Sequence, residues 1–198
     1  MRHVLVRAVL RAAAVAAAVV ATGAQQLPAG PANAAWRNYG GDTGHMRYSP
    51  LDQINAANFS KLEVAWRFKT DALGPRPEYN LESTPLMVNG RLFSTAGTGR
   101  AVVALDAATG EMLWMHSEQE GARGAAAPRQ LSGRGLAYWS DGRKERILYV
   151  TPGYRLVALD AKTGQLVSGF GRNGIVDVKQ DFDQDIDLTK APVGLPSI

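Results

Sequence analysis

The sequence predicts an all-β fold, and within that class a β-propeller, from three observations. Helical periodicity is scarce after Trp36, where short apolar runs bounded by Gly, Pro, Asn and Asp recur along the chain. An eight-residue segment occurs twice, at 103–110 and 157–164, with one difference between the copies. Trp66 and Trp114 are 48 positions apart, close to the 54-residue spacing of that repeat. Four short strands in each interval of about 50 residues are typical of a propeller blade.

The first repeat is predicted to contain four strands, after a preceding strand at 62–68 where apolar side chains alternate with smaller or charged ones. Its first two strands are joined by Asn89-Gly90, a dipeptide that favours the positive φ angles of a tight hairpin. Its third strand is continuously apolar, which is typical of a strand covered on both faces. The predicted strands of this repeat are 85–88, 91–95, 101–105 and 112–115.

The second repeat shows the same order of strands and turns. Turns are predicted at Asp141-Gly142 and Pro152-Gly153, between apolar stretches. The position that corresponds to Trp114 is Ser168, so we expect this blade to dock differently, through Phe170. The predicted strands of this repeat are 136–139, 146–150 and 156–159.

Both third strands end in the same turn, Asp-Ala-x-Thr-Gly, at 106–110 and 160–164. The Asp carboxylate can accept hydrogen bonds from nearby backbone N–H groups, Thr can support the same turn, and Gly supplies a left-handed backbone conformation. Trp114 follows Gly110 by four residues. We therefore expect its large apolar side chain to leave the outermost strand and fill the space between neighbouring blades.

Residues 1–34 have the pattern of a secretory signal peptide. Arginines in the first eleven residues precede an apolar run of Ala and Val at 12–21, which is too short to span a bilayer, and Ala-Asn-Ala at 32–34 provides a cleavage site. Cleavage is predicted after Ala34, with cleavage after Ala24 as the alternative. The predicted organisation is thus a leader at 1–34, followed at 35–198 by one domain or a piece of a larger one, located in the periplasm or outside the cell.

Charge and composition exclude several classes of function. Without the leader the chain has 19 basic and 18 acidic residues, so its charge gives no indication of nucleic-acid binding. There is no cysteine, which excludes disulfides, thiolate zinc sites and cysteine nucleophiles within this stretch. The three histidines are not spaced as paired metal ligands, so no metal-binding residue is predicted.

The segment 106–114 has the form Asp-x-x-Thr-Gly-x-x-x-Trp and resembles the tryptophan-docking motif of quinoprotein dehydrogenases that use pyrroloquinoline quinone (PQQ). Three further stretches are similar to this family in the same order, at 36–42, 82–85 and 134–138. The resemblance implies a propeller of about eight four-stranded blades, of which this chain would supply the first two to three. It also implies that the chain is the N-terminal piece of a longer protein, in which 36–69 adds a strand to the last blade.

The same resemblance implies that PQQ binds near the propeller axis together with calcium. Glu82 matches an acidic cofactor contact of the family, and Arg134 matches the arginine that reaches the cofactor. Gln130 takes the position where membrane-bound glucose dehydrogenases have a histidine, and it is expected to cover the quinone ring. The catalytic base and the calcium ligands of the family lie in later blades. We therefore expect them beyond residue 198 and assign no catalytic residue here.

The resemblance also bears on the substrate and the partners. Methanol and ethanol dehydrogenases of the family place a vicinal cysteine pair against the quinone, whereas 127–133 contains no cysteine. The chain is therefore expected to lie nearer to the glucose and polyol branch, to oxidise a sugar, a polyol or another alcohol, and to pass electrons to ubiquinone or a cytochrome. The alternative is a non-catalytic propeller with the same repeat that acts as a periplasmic binding or assembly scaffold. Such scaffolds are typically lipoproteins with an anchoring cysteine, which this chain lacks.

Overall fold

Two four-stranded antiparallel sheets form the framework of the described part of the chain, each with its strands in chain order. The computed structural model describes residues 35–74, 82–128, 135–180 and 187. The first sheet contains β1 (Leu86–Val88), β2 (Arg91–Ala96), β3 (Ala101–Asp106) and β4 (Met112–His116). The second contains β5 (Ala137–Ser140), β6 (Glu145–Val150), β7 (Arg155–Asp160) and β8 (Ile175–Asp177). A short helix, α1 (Gly121–Ala125), lies between the sheets in sequence, and a 3₁₀ turn (Phe59–Lys61) precedes the first sheet.

The strands predicted from the two repeats are confirmed, with each end shifted by at most one residue. Asn89 and Gly90 have φ angles of 51° and 74°, and the pair Val88 and Arg91 closes the hairpin around them. This positive-φ pair is the geometry of the two-residue hairpin that the dipeptide predicts. The architecture is therefore that of consecutive four-stranded propeller blades.

The fourth strand of the second sheet comes later in the chain than its counterpart in the first. β8 begins at Ile175, after a bridge between Leu159 and Leu166 and a turn that ends at Gly174. Ser168, which matches Trp114 in the repeat, is exposed and lies in no strand. Docking of this blade through Phe170 stays a prediction.

The repeated turn has the hydrogen bonds that its residue types predict. The Asp106 carboxylate accepts the backbone N–H groups two and three residues later, both at 2.8 Å. Asp160 accepts the equivalent N–H groups at 3.0 and 2.9 Å. Gly110 and Gly164 have φ angles of 75° and 71°, which side chains rarely tolerate. The two turns therefore present the same surface at the end of each third strand.

The core lies between the two sheets and against the outer face of the first. All six residues of β3 are buried, which confirms that its continuous apolar run is covered on both faces. Val102 and Ala104 belong to the core between the sheets, while Val103 and Leu105 pack with residues that precede the first sheet. The core between the sheets contains Leu86, Val88, Phe93, Val102, Ala104, Trp114, Ile147, Tyr149, Val157, Leu159 and Ala161.

Trp114 joins the two sheets, as its position in the repeat predicts. Its side chain is 9% exposed, and its ring lies 5.9 Å from the ring of Phe93. The indole Nε1–H donates to the carbonyl oxygen of Ala161 in the second repeated turn, at 3.2 Å. A Cβ at Gly164 would lie 2.6 Å from the indole, so the turn must have glycine for the ring to approach.

Trp66 makes the same contact on the first sheet, although the strand predicted at 62–68 is wrong. Its Nε1–H donates to the Ala107 carbonyl oxygen at 3.2 Å, and its ring covers Gly110. Residues 62–70 form no strand, because no neighbouring strand pairs with this backbone among the described residues. Of the apolar side chains that alternate along 62–68, Trp66 and Phe68 are half-buried, while Leu62 and Val64 are exposed.

Replacement of Gly164 by alanine should destabilise the full-length protein by about 2–5 kcal/mol. The left-handed backbone costs a residue with a Cβ about 1–2 kcal/mol, and the collision with Trp114 adds an overpacking cost of about 1–3 kcal/mol. Denaturant unfolding of Gly164→Ala measures the sum. Gly142→Ala is the matched control, because Gly142 has φ +89° and no atom within 4 Å of its added Cβ. Equal losses at the two glycines would contradict a specific contact between Gly164 and Trp114.

Candidate functional site

A cleft of about 280 Å³ opens where the first strands of the two sheets begin. Its wall contains Thr84, which precedes β1, and residues 135–137, which lead into β5. Residues 148–150 at the end of β6 and Arg100 in the turn between β2 and β3 complete the inner side. Tyr39, which is exposed, and Leu156 of β7 also line it. The cleft therefore combines the inner edges of both sheets.

The structure brings the segments that flank two of the three predicted cofactor contacts to this cleft. Glu82 is exposed and lies two residues before Thr84. Arg134 and Gln130 lie outside the described residues, but Gly135, which follows Arg134 directly, lines the cleft. A Cβ at Gly135 would lie 4.0 Å from the Thr84 carbonyl oxygen. The two segments thus meet across 50 residues of sequence.

Arg100 supplies a buried positive charge at the cleft. It is 7% exposed, and its Nη1–H donates to the Val150 carbonyl oxygen at 3.0 Å. This contact connects the turn between β2 and β3 to the end of β6, so the guanidinium crosses from one sheet to the other. Arg100 has a φ of 54°, a left-handed conformation that the surrounding turn holds in place.

Tyr149 supplies a buried hydroxyl group. The residue is 3% exposed, and its hydroxyl has no hydrogen-bond partner among the described residues. Burial raises the pKa of the Tyr149 phenol far above its ordinary value, and the nearby carboxylates of Glu118 and Glu120 raise it further. The phenol therefore keeps its proton and remains a hydrogen-bond donor, which makes it an unusual group to leave unpaired in a core.

Sequence reasoning missed both Arg100 and Tyr149. Tyr149 occupies an inward position of an alternating strand, where an aromatic residue is ordinary core. Arg100 follows Gly97-Thr98-Gly99, a turn sequence that gives no indication of a buried cation. Only the meeting of the two sheets identifies them as neighbours of one cleft.

The residues around the cleft fit a planar quinone that carries carboxylates. Such a ligand needs cationic or neutral donors for its carboxylates and an apolar or aromatic surface for its rings. Arg100 provides a cation and Thr84 a polar side chain at the wall, while the Tyr149 hydroxyl is buried behind it. Tyr39 and Leu136 provide aromatic and apolar surface. The donor set is suited to an anion and not to a bare metal ion.

Two classes of feature are not found in the described part of the chain. No group of three or more His, Asp or Glu side chains there is arranged to hold a metal ion. No helix within the same residues has the length and apolar character needed to cross a membrane.

Comparison with known proteins identifies the family. Residues 36–196 match the family described as "PQQ: Glucose/ethanol/alcohol dehydrogenase, beta-propeller domain". The dehydrogenase subunit of the quinone alcohol dehydrogenase of Gluconobacter oxydans (strain 621H) is 41% identical over 135 residues, which are 67% of this chain and 16% of that protein. The glycerol dehydrogenase large subunit of the same strain is 33% identical over 174 residues, which are 82% of this chain and 23% of that protein.

A solved structure of a similar protein has a matching fold. The quinohemoprotein alcohol dehydrogenase of Pseudomonas putida superposes with a TM-score of 0.57 at 31% identity, over 74% of this chain and 19% of that one. The chain thus spans less than a quarter of the length of these proteins. The family match covers residues 36–196, and the structure shows two four-stranded blades with a tryptophan packed between them. The chain therefore belongs to the PQQ family of glucose, ethanol and alcohol dehydrogenase β-propeller domains.

Proposed function

We propose that this chain is part of a PQQ-dependent dehydrogenase that oxidises a sugar or a polyol. The observation that supports the proposal is the cleft, where two sequence-distant segments meet: Thr84, two residues after Glu82, and Gly135, which follows Arg134. A buried cation, Arg100, lines the same cleft.

The residues of this chain would bind and orient the cofactor. Arg134 would hold one carboxylate in a two-point contact, and Arg100 would add positive charge behind the wall of the cleft. Glu82 would contact the cofactor on the side of the first sheet, and Gln130 would cover the ring. When bound, PQQ with calcium would supply the acceptor for the hydride, which carries both electrons from the substrate carbon, while the substrate's hydroxyl proton passes to a base. That base and the calcium ligands would lie outside this chain.

The substrate class is proposed from the stretch 127–133, which has no cysteine to lie against the quinone. By the family resemblance, Gln130 takes the position of a histidine in the glucose dehydrogenases, and one of the relatives above is a glycerol dehydrogenase subunit. Another relative is an alcohol dehydrogenase subunit, so simple alcohols are the competing class. Ubiquinone or a cytochrome would accept the electrons.

A quinone titration of the full-length protein, followed by dye-linked oxidation of aldoses, polyols and simple alcohols, tests the proposal. We expect binding of PQQ and faster oxidation of polyols or aldoses than of simple alcohols. A preference for simple alcohols would overturn the proposed substrate class but leave the dehydrogenase. Absence of binding would instead favour the scaffold.

We also propose export to the periplasm or the medium, on the charge pattern of the leader. N-terminal sequencing of the exported protein should begin at Ala35, because small residues at 32 and 34 flank the predicted cleavage site. A start at Gln25 would select the alternative cleavage after Ala24. An intact Met1 on soluble cytoplasmic protein would contradict export.

A further inference from the structure

The connection between the two sheets is fastened to the second sheet by Glu120. The Glu120 side chain is 4% exposed, and each of its carboxylate oxygens accepts one short hydrogen bond. The Thr151 hydroxyl donates to Oε1 at 2.6 Å, and the Gly153 N–H donates to Oε2 at 2.6 Å. A Cβ at Gly153 would lie 2.5 Å from Oε1, so the carboxylate can approach only because residue 153 is glycine.

Arg123, in α1, makes a second attachment beside the first. Its Nη1 and Nη2 donate to the two carboxylate oxygens of Asp177 at 2.5 and 2.6 Å, and its Nε donates to the Gly153 carbonyl oxygen at 2.6 Å. The hydrogen bonds from Arg123 hold the pKa of Asp177 below its ordinary value, so the pair remains ionised at neutral pH. Because a helix of five residues has little stability of its own, these contacts are what fix α1. We call Glu120, Arg123 and Asp177 the clamp.

The clamp holds the residues directly behind the wall of the cleft. Thr151 follows Val150, whose carbonyl oxygen also accepts from Arg100. The Arg155 Nε lies 3.9 Å from Glu120 Oε1, and Leu156 follows Arg155. Val150 and Leu156 both line the cleft. A shift of the clamp would therefore move the wall and, through Val150, the buried guanidinium.

We propose that Glu120 and Arg123 are positioning residues for the cleft, which fix its wall and the Arg100 charge in the geometry that binds the carboxylates of the quinone. The inference rests on the proposed function. Its physical reason is that charge-assisted hydrogen bonds depend steeply on distance and direction, so a small displacement of the donors weakens each of them. Neither residue lines the cleft, and both act through the turn between β6 and β7.

Titration of the full-length apoprotein with PQQ, followed by fluorescence, tests the clamp in Glu120→Gln and Arg123→Lys. Glutamine places an amide donor against the Thr151 or Gly153 donor, and lysine loses the two-point contact with Asp177. We expect the dissociation constant to rise about 10- to 100-fold, the effect typical of partners one contact away from a bound group. The thermal midpoint of each apoprotein should stay within a few degrees of wild type.

The matched control is Glu145→Gln. Glu145 also links the two sheets, because its carboxylate accepts from Asn89 Nδ2 at 2.5 Å and from the Tyr138 hydroxyl at 2.9 Å. It lies at the opposite end of β6 from the cleft-lining residues, so its loss should leave PQQ affinity unchanged.

The outcomes distinguish failure of the clamp from failure of the proposed function. Wild-type affinity in both clamp variants would overturn the clamp and leave the proposed function standing. An equal loss of PQQ affinity in Glu145→Gln and Glu120→Gln would also overturn the clamp. So would a loss of affinity in the clamp variants that is accompanied by a large fall in the thermal midpoint of the apoprotein. If wild type itself binds no PQQ, the clamp and the proposed function both fail.

Discussion

Trp114→Ala is expected to lower the free energy of unfolding of the full-length protein by about 3–5 kcal/mol, the range for removal of a large buried aromatic side chain. The substitution leaves a cavity between the two sheets, beside Phe93 and Gly164. It also leaves the Ala161 carbonyl oxygen without the indole donor. Equilibrium unfolding in denaturant measures the loss, and Trp114→Phe should recover most of the buried area but not the hydrogen bond.

Trp139→Ala is the control for that experiment. Trp139 lies on β5 and is 41% exposed, with the Arg146 guanidinium 4.6 Å from its ring centre. Its removal should lower the free energy of unfolding by no more than about 1 kcal/mol, the scale of an exposed cation–π contact. A loss below about 1 kcal/mol at Trp114 would contradict its role between the blades.

Arg134→Ala should weaken PQQ binding to the full-length protein by roughly 30-fold to several thousand-fold, equivalent to about 2–5 kcal/mol. The reason is that a carboxylate placed against the cleft would lose a charged two-point partner while remaining shielded from water. Arg134→Lys should restore the affinity only in part, because an ammonium group lacks the planar fork of the guanidinium. The measurement is a PQQ titration of each apoprotein, with thermal melts to confirm that the blades remain folded.

The control for Arg134 is Arg143→Ala. Arg143 lies in the exposed turn between β5 and β6, where its backbone N–H donates to Asp141, and its side chain should not affect the cofactor. Equal PQQ affinity in wild type and Arg134→Ala would remove Arg134 from the binding site, while the dehydrogenase proposal would remain.

Local chemistry explains why the blades could be predicted from the sequence. The Asn89-Gly90 hairpin and the Asp106 turn depend on residues within five positions of one another, so their sequences specify their geometry. The strand predicted at 62–68 was wrong because a strand also needs a neighbouring backbone to pair with. Alternation of apolar and polar side chains indicates which side chains are covered, as at Trp66 and Phe68. It does not indicate whether a partner strand is present.

The site was less accessible to sequence reasoning, for a related reason. Glu82 and Arg134 were proposed from a family resemblance, and the structure adds that their flanking segments meet at one cleft. Arg100 reaches Val150 across 50 residues, and Arg123 reaches Asp177 across 54. Contacts of that separation leave no periodic or local pattern, so only the folded arrangement reveals them.

The sequence separation of the two tryptophan contacts bears on how the blades can form. Trp66 and its acceptor are 41 residues apart, and Trp114 and its acceptor are 47 residues apart. In both cases the tryptophan is synthesised first, so each new sheet can be covered by a side chain that is already available when its turn forms. Contacts of moderate sequence separation form faster than those that span a whole chain. Each blade can therefore form in turn from the N-terminus during synthesis, because the side chain that covers its turn has already been made.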